Sequence, residues 1–214
     1  MKPSIYVTYK ISGLALEKLK ERFNVEINNQ TEPLSKSELI EKCRGKDAVL
    51  SMYNNPIDKE FIDQMDQVKI FANYAVGHNN IDSKYAKEKG IVVTNTPDFL
   101  TDATSDLAIG LIFAVARRIP ESDRCVRTGN FSGWTPTWFL GQQITGKTLG
   151  ILGAGRIGKA VAEKLKGFNL NVIYHNRKPN KEFESATGGT YVDFDTLIQN
   201  SDILSIHLPL SDET

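Results

Sequence analysis

Six consecutive residues, Gly153-Ala154-Gly155-Arg156-Ile157-Gly158, have the types and spacing to hold a diphosphate. In such a G-x-G-x-x-G run the first glycine permits a tight turn. The second has no Cβ, so a phosphate can reach the backbone, and the third lets the next helix pack close to its strand. Backbone N–H groups at the helix N-terminus then face the anion, and the helix dipole adds attraction. The run alone is a weak signal, and its surroundings strengthen it. Leu149-Gly150-Ile151-Leu152 enters as a buried strand, and a helix carrying Val161, Ala162 and Leu165 leaves. The chemistry indicated is dinucleotide binding. FAD uses the same turn and is the rival to a nicotinamide coenzyme, but FAD turns usually lie near a chain's start, and this one follows a complete α/β pattern.

The residue ending the second strand of such a unit separates NAD from NADP. A carboxylate there accepts from the ribose hydroxyls and repels a 2′-phosphate. About twenty residues beyond the turn the chain reads Tyr174-His175-Asn176-Arg177-Lys178, with no acid. Arg177 and Lys178 offer positive charge, and Asn176 offers a neutral donor. A guanidinium can grip a phosphate in bidentate fashion. The pattern favours NADP, with NAD as the alternative.

The elements that must position these residues alternate along the chain. Ile5-Tyr6-Val7-Thr8-Tyr9, Val25-Glu26-Ile27, Ala48-Val49-Leu50-Ser51, Ile70-Phe71-Ala72-Asn73 and Ile91-Val92-Val93-Thr94 read as strands. Helical stretches separate them, at Leu14 to Phe23, Ser35 to Cys43, from an Asp58 cap through Met65, and Ser83 to Lys89. Such alternation argues for parallel βαβ units. Residues 1–98 are therefore read as one α/β domain with a flavodoxin-like sheet, and 99–214 as a second. The polar Asn95-Thr96-Pro97-Asp98 marks the boundary. A long helix follows over Thr101 to Arg118, with Leu107, Leu111, Ile112 and Val115 on one face. The aromatic segment around Phe131, Trp134, Trp138 and Phe139 is either a loop tucked onto its own domain or an arm over a site or a second subunit. Then come a strand at Thr148 to Leu152, a helix at Arg156 to Lys166, a strand at Asn171 to Tyr174, a helix at Phe194 to Gln199, and a third strand at Asp202 to Ile206.

Composition narrows the class. The 26 Lys and Arg balance 26 Asp and Glu, so no global field draws nucleic acid or an anionic membrane. No apolar run approaches the ~20 residues of a membrane span. Met1-Lys2-Pro3-Ser4 runs straight into a strand pattern, so no signal peptide is expected and the cytoplasm is the expected location. Cys43 and Cys125 fit no metal-ligand spacing and read as reduced thiols, and no metal site is expected.

With these residues in view the chain resembles the D-isomer-specific 2-hydroxyacid dehydrogenases, and within them the glyoxylate/hydroxypyruvate reductase branch. The resemblance is carried by Trp138 to Gly141, by Gly146-Lys147-Thr148 through Gly158, by Asn73-Tyr74-Ala75-Val76-Gly77-His78-Asn79-Asn80-Ile81-Asp82, by Asn95-Thr96-Pro97, by Leu100 to Ala108, and by His207-Leu208-Pro209-Leu210. It implies a substrate domain and an incomplete Rossmann coenzyme-binding domain with a cleft between them. It implies that backbone N–H groups of Val76 and Gly77 hold the substrate carboxylate, as adjacent amides in a glycine turn can. Met52 and Tyr53 would line the same cleft, Thr104 would approach the nicotinamide, and His207, Leu208 and Pro209 would belong to the coenzyme loop. His78 reads as a surface turn histidine.

The family's catalytic set is an arginine that binds the keto acid, a glutamate, and a histidine that protonates the carbonyl oxygen. All three follow the loop that His207-Leu208-Pro209 resembles, so none is assigned here. The chain is accordingly expected to be truncated and, alone, inactive. The strand that normally pairs beside Leu149 to Leu152 across the switch point is expected to be absent, leaving an open central edge. The function implied is hydride transfer between NAD(P)H and a small 2-oxo acid, in a homodimer when complete. The alternatives are a non-catalytic nucleotide-sensing protein of corepressor type, or an inactive remnant.

Overall fold

The computed structural model describes residues 1–211 and Thr214. The chain divides into two compact units, Met1–Phe99 and Leu100–Thr214. In the first, β1 (Ser4–Val7), β2 (Asn24–Ile27), β3 (Ala48–Ser51), β4 (Ile70–Asn73) and β5 (Val92–Thr94) form a parallel sheet in the order β2-β1-β3-β4-β5. This is the flavodoxin-like order. The crossovers are α1 (Gly13–Arg22), α2 (Lys36–Cys43), α3 (Lys59–Asp63) and α4 (Ser83–Glu88). Local chemistry starts them. Ser35 and Glu38 form a capping box on α2, and Asp58 accepts from the Phe61 N–H at α3. Helix α3 stops at Asp63, short of the expected Met65. Tyr6, Leu39, Val49, Phe61 and Phe71 lie in the core. Ser51 pairs in register with Asn73, so two buried polar residues end adjacent strands where loops 52–56 and 74–80 depart. That carboxyl edge is where open α/β sheets take ligands.

The second unit begins with α5 (Thr101–Ala116) and α6 (Ile119–Arg127). Its sheet holds β6 (Thr148–Leu152), β7 (Asn171–His175), β8 (Thr190–Tyr191) and β9 (Ile203–Ile206), all parallel, in the order β8-β7-β6-β9. This matches the first four positions of the Rossmann order 3-2-1-4-5-6. The helices between are α7 (Arg156–Lys164), α8 (Lys181–Thr187) and α9 (Phe194–Asn200).

Several expectations for this unit are corrected. Strand β6 is paired on both sides, by β7 and by β9, so the open edge is not central. It lies on β9, where Leu204 and Ile206 are exposed. The strand ending at Ile206 is the fourth, because the sequence pattern shows neither β8 nor the helix α8 before it. Two residues of strand are too few to show a period of two. The long helix breaks at Arg118, which takes a left-handed conformation (φ 55°), and Pro120 sits in the first turn of α6. The face of α5 is also different. Ala108, Ile109, Ile112 and Phe113 pack on the core, while Leu107, Leu111 and Val115 are exposed. This helix is apolar on most sides, so periodicity could not choose its buried face. Helix α7 ends at Lys164 and passes into a 3-10 turn at Lys166–Phe168. No helix among the described residues is long and apolar enough to cross a membrane.

Candidate functional site

The glycine turn of the second unit divides its work among three glycines. Gly153 has φ +95°, which favours glycine. A Cβ there would also lie 2.7 Å from the His207 carbonyl oxygen and 3.0 Å from Leu208. Gly158 lies in the first turn of α7, and a Cβ there would lie 2.5 Å from the Gly153 carbonyl oxygen and 2.9 Å from Ile151. Gly155 differs: nothing lies within 4 Å of where its Cβ would be. It caps α7 without a side-chain hydrogen bond. The N–H groups of Gly155, Ile157 and Gly158 donate to no group among the described residues. The turn therefore presents unspent donors beside open space, which fits a dinucleotide diphosphate.

Ala154, by contrast, is 1% exposed and held from both ends. Its N–H donates to Asn176 Oδ1 at 2.7 Å, and its carbonyl accepts from Asn180 Nδ2 at 2.9 Å. Asn176 thus supports the turn through its Oδ1, and its Nδ2 donates to no group among the described residues. Arg177 and Lys178 stand exposed between these two asparagines, with no ion pair among the described residues. Arg156 is exposed at the start of α7, and Ile157 is half-buried behind it. His207 donates its N–H to the Leu152 carbonyl, and its Nε2 lies 2.9 Å from Ser205 Oγ. Burial holds its imidazole below the ordinary histidine range. Leu208 is half-buried against Gly153, and Pro209 is exposed. Thr104 is not brought to the turn. Its neighbours Asp102, Ser105 and Asp106 are bonded to Lys164, at the opposite end of α7.

In the first unit the loop 74–80 carries a second set of unspent donors. The Val76 and Gly77 N–H groups donate to nothing among the described residues. The carbonyls that share their peptide planes are tied down. The Ala75 carbonyl accepts from the Thr96 N–H at 2.9 Å, and the Val76 carbonyl accepts from Asn95 Nδ2 at 2.8 Å. A trans peptide points its N–H opposite its C=O, so the Asn95-Thr96 segment aims both amides. Beneath them Asn73, 2% exposed, accepts from Ser51 Oγ and donates to the Gly77 carbonyl and to Asn80 Oδ1. Asn80 in turn donates to the Met52 and Asn55 carbonyls, and Asn55 Oδ1 accepts from Thr8 Oγ1 and the Met52 N–H. This network joins the loop to the segment carrying Met52, half-buried, and Tyr53, whose hydroxyl accepts from Asn79. His78 is exposed on the same loop.

The D-isomer specific 2-hydroxyacid dehydrogenase NAD binding domain matches residues 109–214. A solved Polaromonas sp. JS6 66 protein, described as a D-isomer specific 2-hydroxyacid dehydrogenase, superposes with a TM-score of 0.89 at 34% identity, over 100% of this chain and 67% of its own. The chain belongs to the D-isomer specific 2-hydroxyacid dehydrogenase family. A glyoxylate reductase from Thermococcus litoralis is 44% identical over all of this chain and 66% of the relative. An acyclic imino acid reductase solved with NADPH and D-Arg superposes with a TM-score of 0.84 at 28% identity, over 99% of this chain and 67% of its own. The chain spans 65–66% of the length of the curated glyoxylate reductases it matches.

For this member of the dehydrogenase family, sequence reasoning finds the glycine turn and misses what holds it. It assigns no role to Asn180, Asn73, Asn80 or Asn55, and it reads Asn95-Thr96 as part of the boundary between the two domains. Asn180 and Asn55 do carry local signals, a helix cap and a turn within three residues. The contacts that matter to the two loops, from Asn180 to Ala154, Asn80 to Met52 and Asn95 to Val76, span 19 to 28 residues and leave no local mark.

Proposed function

We propose that the protein works as an NAD(P)-dependent reductase of small 2-oxo acids, converting glyoxylate or hydroxypyruvate to the 2-hydroxy acid. The observation that carries this is the strand–turn–helix at 148–164, with unspent amides beside the open space at the Gly155 Cβ position. Residues 99–214 serve as the coenzyme domain and 1–98 as the substrate domain. Gly153, Gly155, Arg156, Ile157, Gly158, His207, Leu208 and Pro209 hold the coenzyme around its diphosphate, and Thr104 serves its nicotinamide half. When bound, the coenzyme supplies the hydride. Val76 and Gly77 receive the substrate carboxylate, and Met52 and Tyr53 line its place. The arginine, glutamate and histidine that the resemblance assigns to catalysis have no counterparts among positions 1–214, so these residues bind and orient. The two free cysteines, Cys43 and Cys125, suit a reducing cytoplasm.

The coenzyme is NADP in this reading. No acid occurs at 174–178, both cations there are exposed, and a relative holds NADPH. Arg177→Ala is expected to weaken NADPH by about 1.5–3 kcal/mol, the scale of a charged hydrogen bond, and to leave NADH nearly unchanged. Fluorescence titration decides it, and equal losses for both coenzymes would refute the assignment.

The same reading makes the assembly a homodimer built on α5, α6 and the aromatic segment. Leu107, Leu111 and Val115 form an exposed stripe on α5, and Trp134 is 82% exposed. Beside it an apolar pocket of about 220 Å³ is lined by Cys125, Val126, Phe131, Trp134 and Trp138. Apolar surface of this kind marks interaction sites. Sedimentation should give a dimer at micromolar concentration, and Leu111→Glu should give a monomer. A wild type that sediments as a monomer would exclude the dimer.

A further inference from the structure

If the second unit is a dinucleotide site, some group must point its amides outward. Asn180 uses every polar atom it has. Its Oδ1 caps α8 by accepting from the Glu182 and Phe183 N–H groups at 3.1 and 3.2 Å. Its own N–H donates to Tyr174 Oη at 2.6 Å, and that hydroxyl donates to Glu184 at 2.7 Å. Its Nδ2 donates to the Ala154 carbonyl at 2.9 Å. Only a side chain with an acceptor and a donor on one short stem can cap a helix and hold a carbonyl together. Aspartate would cap, but it would set an oxygen against the Ala154 oxygen. Serine would cap, but it has no second arm.

The Ala154 carbonyl shares its peptide plane with the Gly155 N–H. A trans peptide sets the two in opposite directions. Asn180 holds the carbonyl at buried Ala154, so the Gly155 N–H points the opposite way, where it donates to no group among the described residues and where the Cβ side of Gly155 is open. Asn176 fixes the preceding plane through the Ala154 N–H, which leaves this stretch little freedom to rotate.

We propose that Asn180 is a positioning residue: through the Ala154 carbonyl it aims the Gly155 N–H at the diphosphate of a bound dinucleotide, and so sets affinity for every dinucleotide without choosing among them. The inference rests on the dinucleotide reading and is independent of the NADP choice. A preset donor gives more to binding than one that must be reoriented as the ligand arrives.

The test is Asn180→Ser in the chain of residues 1–214. Serine keeps the helix cap and removes the arm to Ala154. Titrations with NADH, NADPH and 2′-AMP read three different contacts, because 2′-AMP lacks the diphosphate and keeps the 2′-phosphate. The expected result is a loss of about tenfold for both dinucleotides, by the same factor, the scale of one impaired charge-assisted hydrogen bond. Affinity for 2′-AMP should stay unchanged, and the melting temperature should fall only modestly, because the Ala154 carbonyl loses one partner while the helix cap is kept. A loss for NADPH and 2′-AMP with NADH unaffected would show that Asn180 places the Arg177-Lys178 loop instead, and would overturn the inference. So would unaltered binding of all three, or a loss matched by a large fall in melting temperature. A wild type that binds neither dinucleotide defeats the dinucleotide reading and this inference together. A wild type that binds NADH but ignores 2′-AMP defeats only the NADP choice, and NADH then decides the role of Asn180.

Discussion

The turn 153–158 and the loop 74–80 reach the same result by different means. Each leaves backbone N–H groups unspent beside a sheet's carboxyl edge. In the second unit much of the shape comes from side chains left out: Gly153 and Gly158 stand where a Cβ would strike a carbonyl oxygen. In the first unit it comes from side chains brought in: Asn73, Asn80 and Asn95 hold carbonyls of the two loops from a distance. The first device is steric and is written in consecutive residues. The second is a hydrogen-bond network whose members meet only after the sheet forms. Ala154, gripped by Asn176 and Asn180, shows that the glycine turn also borrows the second device.

The comparison predicts unequal responses to substitution. Gly158→Ala should be the most damaging. Its Cβ meets backbone that cannot swing away, so the stability of the second unit should fall by about 3 kcal/mol, the upper part of the overpacking range. Both tryptophans lie in that unit, so their fluorescence during denaturant unfolding reads it directly. A neutral outcome would mean that α7 and β6 can separate cheaply. Asn73→Leu comes next. It removes the partner of the Gly77 carbonyl and of Ser51 Oγ in a buried setting, at a cost of about 2 kcal/mol for the unsatisfied groups. Calorimetry should show the loss, and hydrogen exchange should localise it to 74–80. Protection spread evenly over the chain would argue against a network that shapes one loop. Gly155→Ala should be mildest for the fold, within about 0.5 kcal/mol, because its Cβ enters open space at an allowed φ of −86°. Its effect should appear as weaker NADPH binding, since the new methyl occupies the face a diphosphate approaches. Unaltered affinity would place the ligand elsewhere.

Much of the fold is legible in the order of the residues. The strands at 48–51, 70–73 and 148–152 occupy the residues read from sequence, because a buried parallel strand is a short apolar run with sharp ends. Asp58 and Ser35 announce their helices through capping chemistry that acts within three residues. The misreadings share another cause. Strand β8 has only two residues, and α5 is apolar on most sides, so neither carries a pattern that periodicity can resolve.

By itself the sequence determined two parallel α/β sheets, the glycine turn after β6, and a cationic Arg177-Lys178 with no acid beside it, because steric permission, capping and charge act over a few neighbouring residues. Only the tertiary structure decided that β9 and not an absent strand flanks β6, which face of α5 is buried, and that Asn180 and Asn95 aim the Gly155 and Gly77 amides. Those outcomes depend on hydrogen bonds and packing between segments tens of residues apart, and such partners are chosen when the sheets assemble.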